Sequence, residues 1–433
     1  MDKNTFAPTP PMGWNSYDYY DTSVTEEDIK RNSDYMAKYL KPYGFEYVVV
    51  DIQWYAYNVG TKRDQYQYIP FEKVAMDEYS RLLPCPDRFP SASNGNGFKP
   101  LADYIHSLGL KFGIHIMRGI PRIAAHMHTP IKGTTITANE IADPSSICSW
   151  NPDMYGVFPS KSGSKEYYNS IFELYSEWGV DFIKCDDICR MDAASAKEEI
   201  VMLHEAINNC NRPMVLSLSP GPAKLEEAWH YERYANMWRI TDDFWDTWPL
   251  LLNMFERCEH WQNHVSTGCY PDCDMLPVGF VGKGFHAERL TNFTKEEQIT
   301  MMTLWSIFRS PMMLGAELPK LDEWTLNLIT NKNVLHLLTG SHNARQIMRS
   351  DKQAVWYSED LHEDVQYLAI FNLEEEGDIE LQPEWLNLES LEAVEFTELW
   401  SNEILEFNSL SDSTTPTVTV PTHGAKLYRI RKN

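Results

Sequence analysis

The 433-residue sequence lacks long hydrophobic runs and has few basic residues. No apolar stretch reaches the ~18 residues of a membrane-spanning helix, and the first eight residues have neither the basic region nor the apolar run of a secretory signal. Lys and Arg number 38 against 62 Asp and Glu, which gives a formal net charge of −24. This balance argues against binding to nucleic acid, an anionic membrane or a polyanion, and it favours a neutral ligand.

Cysteine is also scarce, and its spacing does not match the common zinc sites. The eight cysteines are scattered through a large chain, unlike those of a small disulfide-stapled domain. Cys185 and Cys189 are separated by three residues, as are Cys269 and Cys273, and neither pair has C-x₂-C spacing with the histidines of a zinc site. We therefore predict free thiols in a cytoplasmic protein that holds neither a metal ion nor a cofactor.

Between residues 10 and 320 the chain alternates short apolar runs with amphipathic stretches. The candidate strands are Met12–Ser16, Tyr47–Trp54, Leu110–Met117, Val180–Asp187, Met214–Ser219, Met237–Asp243, Cys269–Leu276 and Pro311–Ala316. The candidate helices are Thr25–Tyr39, Gly97–Leu108, Lys165–Trp178, Ala193–Asn208 and Lys295–Phe308. Eight strands, each followed by helical sequence, predict an α/β (β/α)₈ TIM barrel rather than a doubly wound sheet.

The pattern changes after about Thr339. We interpret Gly340–Asn343 as a break, after which nearly all periodicity is of the strand type. The candidate strands are Ala354–Tyr357, Val365–Phe371, Asp378–Leu381, Ala393–Glu398 and Ala425–Arg431. The sequence therefore predicts a catalytic barrel over residues 1–339 and a small antiparallel β-sandwich over residues 340–433.

Carboxylates stand at the ends of several barrel strands. They are Asp51, the pair Asp186 and Asp187, the pair Asp242 and Asp243, and Asp272 with Asp274. The C-terminal ends of barrel strands meet at one mouth, so these groups should lie together. One such Asp alone is more often a helix cap or a loop residue, but four strand ends indicate a site. Glycoside hydrolysis is the chemistry that needs two carboxyl groups flanking one bond.

Five segments give a more specific signal. They are PPMGWNSY at Pro10–Tyr17, VDIQW at Val50–Trp54, KCDD at Lys184–Asp187, WRITDD at Trp238–Asp243 and DCDML at Asp272–Leu276. In this order they resemble motifs of glycoside hydrolase family 27, the α-galactosidase family, and the resemblance extends almost to the C-terminus. It implies that the protein hydrolyses a small oligosaccharide or glycoside with a terminal galactose-like sugar.

The resemblance also implies catalytic roles. Asp186 matches the family's nucleophile, and Asp243 matches its acid/base, which together would carry out a retaining mechanism. Asp242 is the rival for the acid/base role, and Asp243 is preferred because of its spacing from Arg239. Lys184, two residues before Asp186 on a strand, would point to the same face and hold a substrate hydroxyl.

Other matched positions would contact the sugar. Arg239 would bind the 2-hydroxyl, with Asp274 close by, and Asp51 would accept the 4-hydroxyl, whose axial orientation distinguishes galactose-like sugars. Tyr17 stands where the family usually has a stacking Trp. His115 stands where Tyr is common, and it is either a sugar contact or a buried hydrogen-bonded residue.

Two positions depart from the α-galactosidase pattern and bear on the sugar. Ile52 replaces a second Asp, and an aliphatic residue here is found in β-L-arabinopyranosidases of the family. β-L-Arabinopyranose has the ring stereochemistry of α-D-galactopyranose without the C6 hydroxymethyl group, so we predict a β-L-arabinopyranosidase with residual α-D-galactosidase activity. Ser219 instead matches a serine of α-N-acetylgalactosaminidases, which is the alternative substrate class, although it could equally cap a helix.

Two other classes of protein remain open at this stage. A non-catalytic carbohydrate-binding barrel would keep the stacking residues and lose the carboxyl pair, whereas Asp186 and Asp243 are both present. A metal-dependent hydrolase barrel would need strand-end histidines, and the H-x-H at His126–His128 does not follow a candidate strand. By analogy with the family, the protein is also expected to form a homo-oligomer.

Overall fold

The largest sheet consists of eight parallel strands. The structure is a computed structural model, and it describes residues 1–60, 68, 73–391, 394–406 and 416–432. The strands are Met12–Asn15 (β1), Tyr47–Val50 (β2), Lys111–Met117 (β3), Phe182–Asp186 (β4), Val215–Leu218 (β5), Met237–Arg239 (β6), Tyr270–Asp272 (β7) and Met312–Leu314 (β8). Neighbours in the sheet follow the order β7-β6-β5-β4-β3-β2-β1-β8, so β8 lies beside β1.

The two ends of this sheet are joined just after β7. Leu276 forms a parallel bridge with Leu314 of β8. The amide of Leu276 donates to the carbonyl oxygen of Met313 at 2.8 Å, and that of Gly315 donates to the carbonyl oxygen of Leu276 at 3.0 Å. The predicted (β/α)₈ barrel is therefore confirmed, with all eight strands at the predicted places and most of them shorter at their C-terminal ends. Every residue of Tyr47–Val50 is buried, as expected of a parallel strand covered on both faces.

All five predicted helices are present, with ends that differ by up to three residues. Thr25 and Thr294 each form a capping box at the N-terminus of the following helix. The α-helices are Tyr17–Tyr20, Glu26–Tyr39, Lys99–Ser107, Arg122–Met127, Ala138–Ile141, Ser164–Trp178, Ala196–Asn209, Ala228–Tyr234, Trp248–Trp261, Lys295–Phe308, Glu323–Ile329 and Lys332–Gly340. The 3₁₀-helices are Lys3–Thr5, Lys41–Tyr43, Pro90–Gly95, Leu225–Glu227, Gln262–His264, Lys283–Phe285, Leu318–Lys320 and Pro383–Leu386.

Two small antiparallel sheets interrupt the barrel pattern. One consists of Ile120–Pro121, Ala142–Ile147 and Met154–Val157, and it belongs to the long connection between β3 and β4. The other pairs Phe280–Val281 with Arg289–Leu290 after β7. These strands were not predicted from the sequence, because most of them are too short to show a period of two.

The C-terminal part of the chain has an antiparallel fold, as predicted. Its six-stranded sheet has the order Ser341–Arg349, Gln353–Asp360, Val365–Asn372, Ala425–Lys432, Val394–Glu398 and Ile404–Glu406, and a second sheet pairs Gly377–Glu380 with Thr417–Val420. Both sheets contribute to one buried hydrophobic core. The break predicted at Gly340–Asn343 is wrong, because an edge strand with little hydrophobic alternation begins at Ser341. Ala393, the predicted start of a further strand, lies outside the described residues.

Internal contacts divide the chain into two units. The first comprises Met1–Asp243, Ser266–Leu290 and Met312–Leu321, and the second comprises Phe244–Val265, Thr291–Pro311 and Asp322–Asn433. The predicted division between residues 339 and 340 stays a prediction of how the chain is organised into domains. None of the helices in the described part of the chain combines the length and the hydropathy needed to cross a membrane.

Candidate active site

A cavity of about 210 Å³ lies at the C-terminal ends of the barrel strands. This volume is below the roughly 300–1,000 Å³ of sites that hold drug-sized ligands, and it suits a single sugar ring. The lining residues are Tyr17, Asp51, Ile52, Tyr68, Trp150, Lys184, Asp186, Arg190, Pro220, Asp242 and Asp243. All of them belong to the first unit of the chain.

Asp186 is the last residue of β4, and its carboxylate is held from two sides. The Nε2 atom of His115, on the neighbouring strand β3, lies 3.0 Å from Oδ2, and the amide of Asp187 donates to Oδ1 at 3.1 Å. Burial alone would raise the pKa of Asp186, but the hydrogen bond from His115 and the positive charge of Lys184 outweigh it and hold the pKa well below its ordinary value. Asp186 is therefore ionised, as a carboxylate nucleophile must be.

Asp51 follows β2 and is fixed even more firmly. Its Oδ2 accepts hydrogen bonds from Asn15 Nδ2 at 2.7 Å and from Lys184 Nζ at 2.9 Å, while its Oδ1 accepts from the amide of Ile52 at 2.9 Å. Burial would raise the pKa of Asp51, but the charge of Lys184 outweighs burial and lowers it. The ammonium of Lys184 shows the reverse: burial would lower its pKa, and the carboxylates of Asp51 and Asp186 raise it instead.

Arg239 ends β6 and connects two carboxylates. Its Nη2 atom lies 2.7 Å from Asp274 Oδ2 and 3.1 Å from Asp243 Oδ1. The side chains of Arg239 and Asp274 are each 3% exposed, whereas that of Asp243 is 50% exposed. Asp243 thus stands at the open side of the cavity, where a leaving group and water can reach it, while the residues that orient it are buried.

Three aromatic residues, Tyr17, Tyr68 and Trp150, line another part of the cavity. The hydroxyl oxygens of Tyr17 and Tyr68 lie 3.3 Å apart, and the rings of Tyr68 and Trp150 have centroids 5.8 Å apart. Ile52 also lines this cavity beside Asp51, so its side chain does not face away from the site. Aromatic faces of this kind pack against the apolar faces of sugar rings.

Three of the strand ends at this site carry a non-glycine residue with positive φ. They are Gln53 (59°), Asp187 (59°) and Asp274 (81°), which follow β2, β4 and β7. Such backbone conformations cost free energy and persist where the surrounding structure holds them in place. Here they occur within two residues of Asp51, Asp186 and Asp272.

The structure brings together most of the residues that the sequence predicted. Tyr17, Asp51, Ile52, Lys184, Asp186 and Asp243 line the cavity. His115, Arg239 and Asp274 lie behind it and contact the carboxylates, so the buried, hydrogen-bonded alternative for His115 agrees with its position.

Ser219 is fully buried and does not line the cavity. Its carbonyl oxygen accepts hydrogen bonds from the amides of Ile188 and Cys189, which fixes the backbone there.

Sequence reasoning missed four residues of the cavity wall. Trp150 and Pro220 lie outside the helices and strands, Tyr68 lies in the connection between β2 and β3, and no spacing signal could have found these three residues. Arg190, whose Nη2 lies 2.6 Å from Asp242 Oδ1, also gave no signal. A further buried carboxyl, Asp18, lies next to Tyr17; burial, followed by the charge of Asp274, raises its pKa well above the ordinary value.

The described side chains do not suggest an inorganic ligand. Across residues 1–60, 68, 73–391, 394–406 and 416–432, no group of three or more His, Cys, Asp or Glu side chains is arranged to hold a metal ion. All eight cysteines lie within these residues and carry free thiols.

Comparison with known proteins agrees with this geometry. The family model described as alpha galactosidase A matches residues 154–339, and that of the alpha galactosidase C-terminal beta sandwich domain matches residues 350–430. A family 27 β-L-arabinopyranosidase from Geobacillus stearothermophilus is 50% identical, with a TM-score of 0.93 over 99% of this chain and 98% of the other. The chain belongs to glycoside hydrolase family 27.

Two other relatives show how broad this family is. A candidate α-N-acetylgalactosaminidase from Bacillus halodurans is 48% identical, with a TM-score of 0.86 over 98% of this chain and 97% of the other. Alpha-galactosidase 3 of Arabidopsis thaliana is 25% identical over 94% of this chain and 78% of its own length. The family 27 protein described here is therefore a glycoside hydrolase, and the alternative of a non-catalytic binding barrel is set aside.

Proposed function

We propose that this family 27 enzyme is a retaining exo-glycosidase that prefers terminal β-L-arabinopyranosides and has residual activity on α-D-galactopyranosides. The observation that carries the proposal is the position of Ile52, whose side chain lines the sugar cavity directly beside Asp51. The 50% identity with a β-L-arabinopyranosidase, a second structure of which contains arabinose, supports the same choice.

The preference follows from what Ile52 cannot do. A 6-hydroxyl group placed against an isoleucine loses its partner in water and gains none in the protein, at a cost of about 1–3 kcal/mol. That free energy corresponds to roughly a 10- to 100-fold lower rate for a galactoside. A pentopyranose has no hydroxymethyl group at this place, so the apolar side chain can contact its ring without leaving a polar group unpaired.

The two catalytic carboxyl groups would act in sequence. Asp186 attacks the anomeric carbon and forms an ester with the sugar, while Asp243 donates its proton to the glycosidic oxygen as the bond to the leaving group breaks. Asp243 then removes a proton from a water molecule, whose oxygen attacks the anomeric carbon and releases the carboxylate of Asp186. The half-exposed position of Asp243 supports this double role.

The buried charges around these carboxyl groups support the same assignment. Lys184 and His115 keep Asp186 ionised, and Arg239 orients Asp243 through a 3.1 Å contact. Asp51, pinned by three hydrogen bonds, offers a fixed acceptor for an axial hydroxyl.

The alternative, an α-N-acetylgalactosaminidase, has less support. It depended on Ser219 facing the 2-substituent of the sugar, and the Ser219 side chain is buried away from the cavity. Because the chain is similar to the candidate α-N-acetylgalactosaminidase from Bacillus halodurans, the test below includes an α-N-acetylgalactosaminide substrate. Cytoplasmic location and self-association, both expected from the sequence or the family, stay predictions.

The experiment compares three p-nitrophenyl glycosides: the β-L-arabinopyranoside, the α-D-galactopyranoside and the α-N-acetylgalactosaminide. The wild type should have its highest kcat/KM on the first. Ile52→Asp, or the uncharged Ile52→Asn, should raise the ratio of galactoside to arabinopyranoside activity by roughly 10- to 100-fold. Ile123→Asp changes an exposed isoleucine outside the cavity and should leave the ratio unchanged. A wild type that prefers the galactoside, with a ratio insensitive to position 52, would refute the proposal.

A further inference from the structure

Lys3 and Cys269 form a buried pair at the N-terminal end of β7. The Nζ atom of Lys3 lies 3.3 Å from the Sγ atom of Cys269, and the two residues are 7% and 4% exposed. Cys269 directly precedes β7, whereas the sugar cavity lies at the C-terminal ends of the barrel strands. Neither residue takes part in the proposed glycosidase chemistry, so this contact between an amine and a thiol has a different role.

The other contacts of the pair keep the amine against the sulfur. Nζ of Lys3 also donates to Asn4 Oδ1 at 2.6 Å and to the carbonyl oxygen of Gly268 at 3.3 Å. The thiol of Cys269 donates to the carbonyl oxygen of Glu232 at 3.4 Å, and its sulfur accepts the hydrogen bond from Lys3. A buried lysine is normally paired with a carboxylate, but these three contacts of the amine are with two neutral oxygens and a sulfur.

Gly268 allows the helix Lys3–Thr5 to lie directly on the turn before β7. Its φ is 75°, and a Cβ atom at this position would lie 2.3 Å from the Cα atom of Asn4. The Nδ2 atom of Asn236 donates to the carbonyl oxygens of Lys3 and Gly268, at 2.9 Å and 3.2 Å. One side chain therefore ties both segments together, and the amine and the thiol are held in contact before any reaction.

Burial also prepares the amine to act as a nucleophile. It lowers the pKa of Lys3, although the neighbouring Cys269 acts in the opposite direction. A lower pKa increases the fraction of neutral amine, which carries the reactive lone pair. Asp2 and Thr5 are exposed, so a single helical turn covers the pair, and local opening of this turn admits a molecule as small as hydrogen peroxide.

We propose that Lys3 and Cys269 form an oxidation-sensitive latch, in which a hydroperoxide converts the pair into a covalent sulfur–nitrogen link. The thiolate of Cys269 first attacks a peroxide oxygen; the O–O bond breaks, a sulfenic acid forms and the other oxygen leaves as water. The neutral amine of Lys3 then attacks the sulfur. The S–N bond forms as the S–O bond breaks, and the hydroxide leaves as water with a proton from the amine. Overall the sulfur is oxidised and the peroxide is reduced to water.

The short contact favours the link over further oxidation of the sulfur. An amine held 3.3 Å away reacts intramolecularly, whereas a second peroxide must first diffuse into a buried site. The link joins residues that are 266 positions apart, so it restricts the unfolded chain as a disulfide does and should stabilise the fold. A dithiol would reverse it, returning the thiol and the amine while the dithiol is oxidised to a disulfide. None of these steps depends on which sugar the enzyme prefers.

The first test treats the intact chain with hydrogen peroxide and digests it without a reductant. Mass spectrometry should find the peptide of Lys3 joined to that of Cys269, with a mass lower than their sum by two hydrogen atoms. Trypsin should no longer cleave after Lys3, and dithiothreitol should restore both separate peptides. A Cys269 that stays unmodified, or is found only as the sulfinic or sulfonic acid, would overturn the proposal, as would a link that retains an oxygen atom.

Variants show whether the contact itself is responsible. Lys3→Arg keeps the positive charge but has no nucleophilic amine, and Cys269→Ser removes the sulfur, so both should abolish the link. Lys165→Arg changes a lysine in an exposed ion pair and should give the link as the wild type does. Wild type oxidised in concentrated urea should not give it, because the two residues meet only in the folded chain. A link of Cys269 to another lysine in Lys3→Arg, or a Lys3–Cys269 link formed in urea, would contradict the assignment.

Urea unfolding measures the effect of the latch on stability. The midpoint of the linked wild type should be higher by roughly 1 M than that of the same oxidised sample after dithiothreitol. This comparison leaves other oxidised side chains, such as methionine sulfoxides, the same in both samples. Cys269→Ser, treated in parallel, should have the same midpoint before and after dithiothreitol. Equal midpoints for the linked and the reduced wild type would refute the stabilising role of the latch.

Discussion

Lys184→Met tests how much the buried ammonium group of Lys184 stabilises the fold and the ionised carboxylates of Asp51 and Asp186. The Nζ atom of Lys184 lies 2.9 Å from Asp51 Oδ2, with the two side chains 12% and 2% exposed. Its charge also helps to lower the pKa of both Asp51 and Asp186. Methionine keeps the length of the side chain and removes the charge, so two buried carboxylates lose their shared partner.

The loss of stability should be large. Removing one partner of a buried ion pair typically costs about 3–5 kcal/mol, because the other charge stays buried and uncompensated. The ion pair of Lys165 with Glu205 has the same 2.9 Å separation but is 61% and 43% exposed. Lys165→Met is thus the matched control, and it should change the free energy of unfolding very little. Denaturant unfolding of both variants at neutral pH makes the comparison.

The pH dependence gives a second readout. Asp51 and Asp186 have pKa values below those of the unfolded chain, so their contribution to stability is present above about pH 4 and is lost as the pH falls. The stability advantage of the wild type over Lys184→Met should therefore shrink on acidification. The acid limb of kcat/KM should also move to higher pH, because a nucleophile without the Lys184 charge is protonated more easily. An unmoved acid limb, together with a stability equal to that of Lys165→Met, would refute this account.

Further predictions concern the carboxyl groups and metal dependence. Asp186→Asn and Asp243→Asn should each abolish turnover of an activated aryl glycoside without unfolding the protein, whereas Asp242→Asn should keep most of it; an inactive Asp242→Asn with an active Asp243→Asn would exchange the two assignments. Burial and the charge of Asp274 raise the pKa of Asp18 in the folded protein. Because this carboxyl group ionises more easily in the unfolded chain, it lowers the stability of the folded protein as the pH rises above about 4. The unfolding free energy of Asp18→Asn relative to the wild type should therefore grow between acidic and neutral pH, and a constant difference would contradict the shift. Activity should survive EDTA, and its loss would point to the metal-dependent class.

The sequence was sufficient to predict the barrel and its strand-end carboxylates, because both follow from local rules. Buried parallel strands are short apolar runs, and their C-terminal ends converge, so the sequence alone predicts that Asp51, Asp186 and Asp243 lie together. β1, β7 and β8 have only three or four residues each, and their patterns are weak. Their places became clear through the resemblance to the family rather than through periodicity.

The rest of the site could not be predicted, because its residues belong to long connections between strands. Local sequence rules do not determine the path of such a connection. Trp150 lies in the connection between β3 and β4, and Tyr68 in the one between β2 and β3. Neither position has a period or a cap that would direct its ring towards the mouth of the barrel. Ser219 is the opposite case: its match to a serine of α-N-acetylgalactosaminidases suggested a sugar contact, but its side chain is fully buried and does not line the cavity.

Under the proposed function, the pair Asp51 and Ile52 would let sugar preference change within this barrel without disturbing catalysis. The amide of Ile52 donates to Asp51 Oδ1, whereas its side chain lines the cavity. A substitution at position 52 therefore changes the group offered to C6 of the sugar and leaves the hydrogen bond that fixes the neighbouring carboxylate in place. Asn15 and Lys184 secure the other oxygen of Asp51 independently of residue 52. If the proposed function is correct, the acceptor of the axial hydroxyl thus stays constant, and the choice between a pentose and a hexose depends on the side chain at position 52.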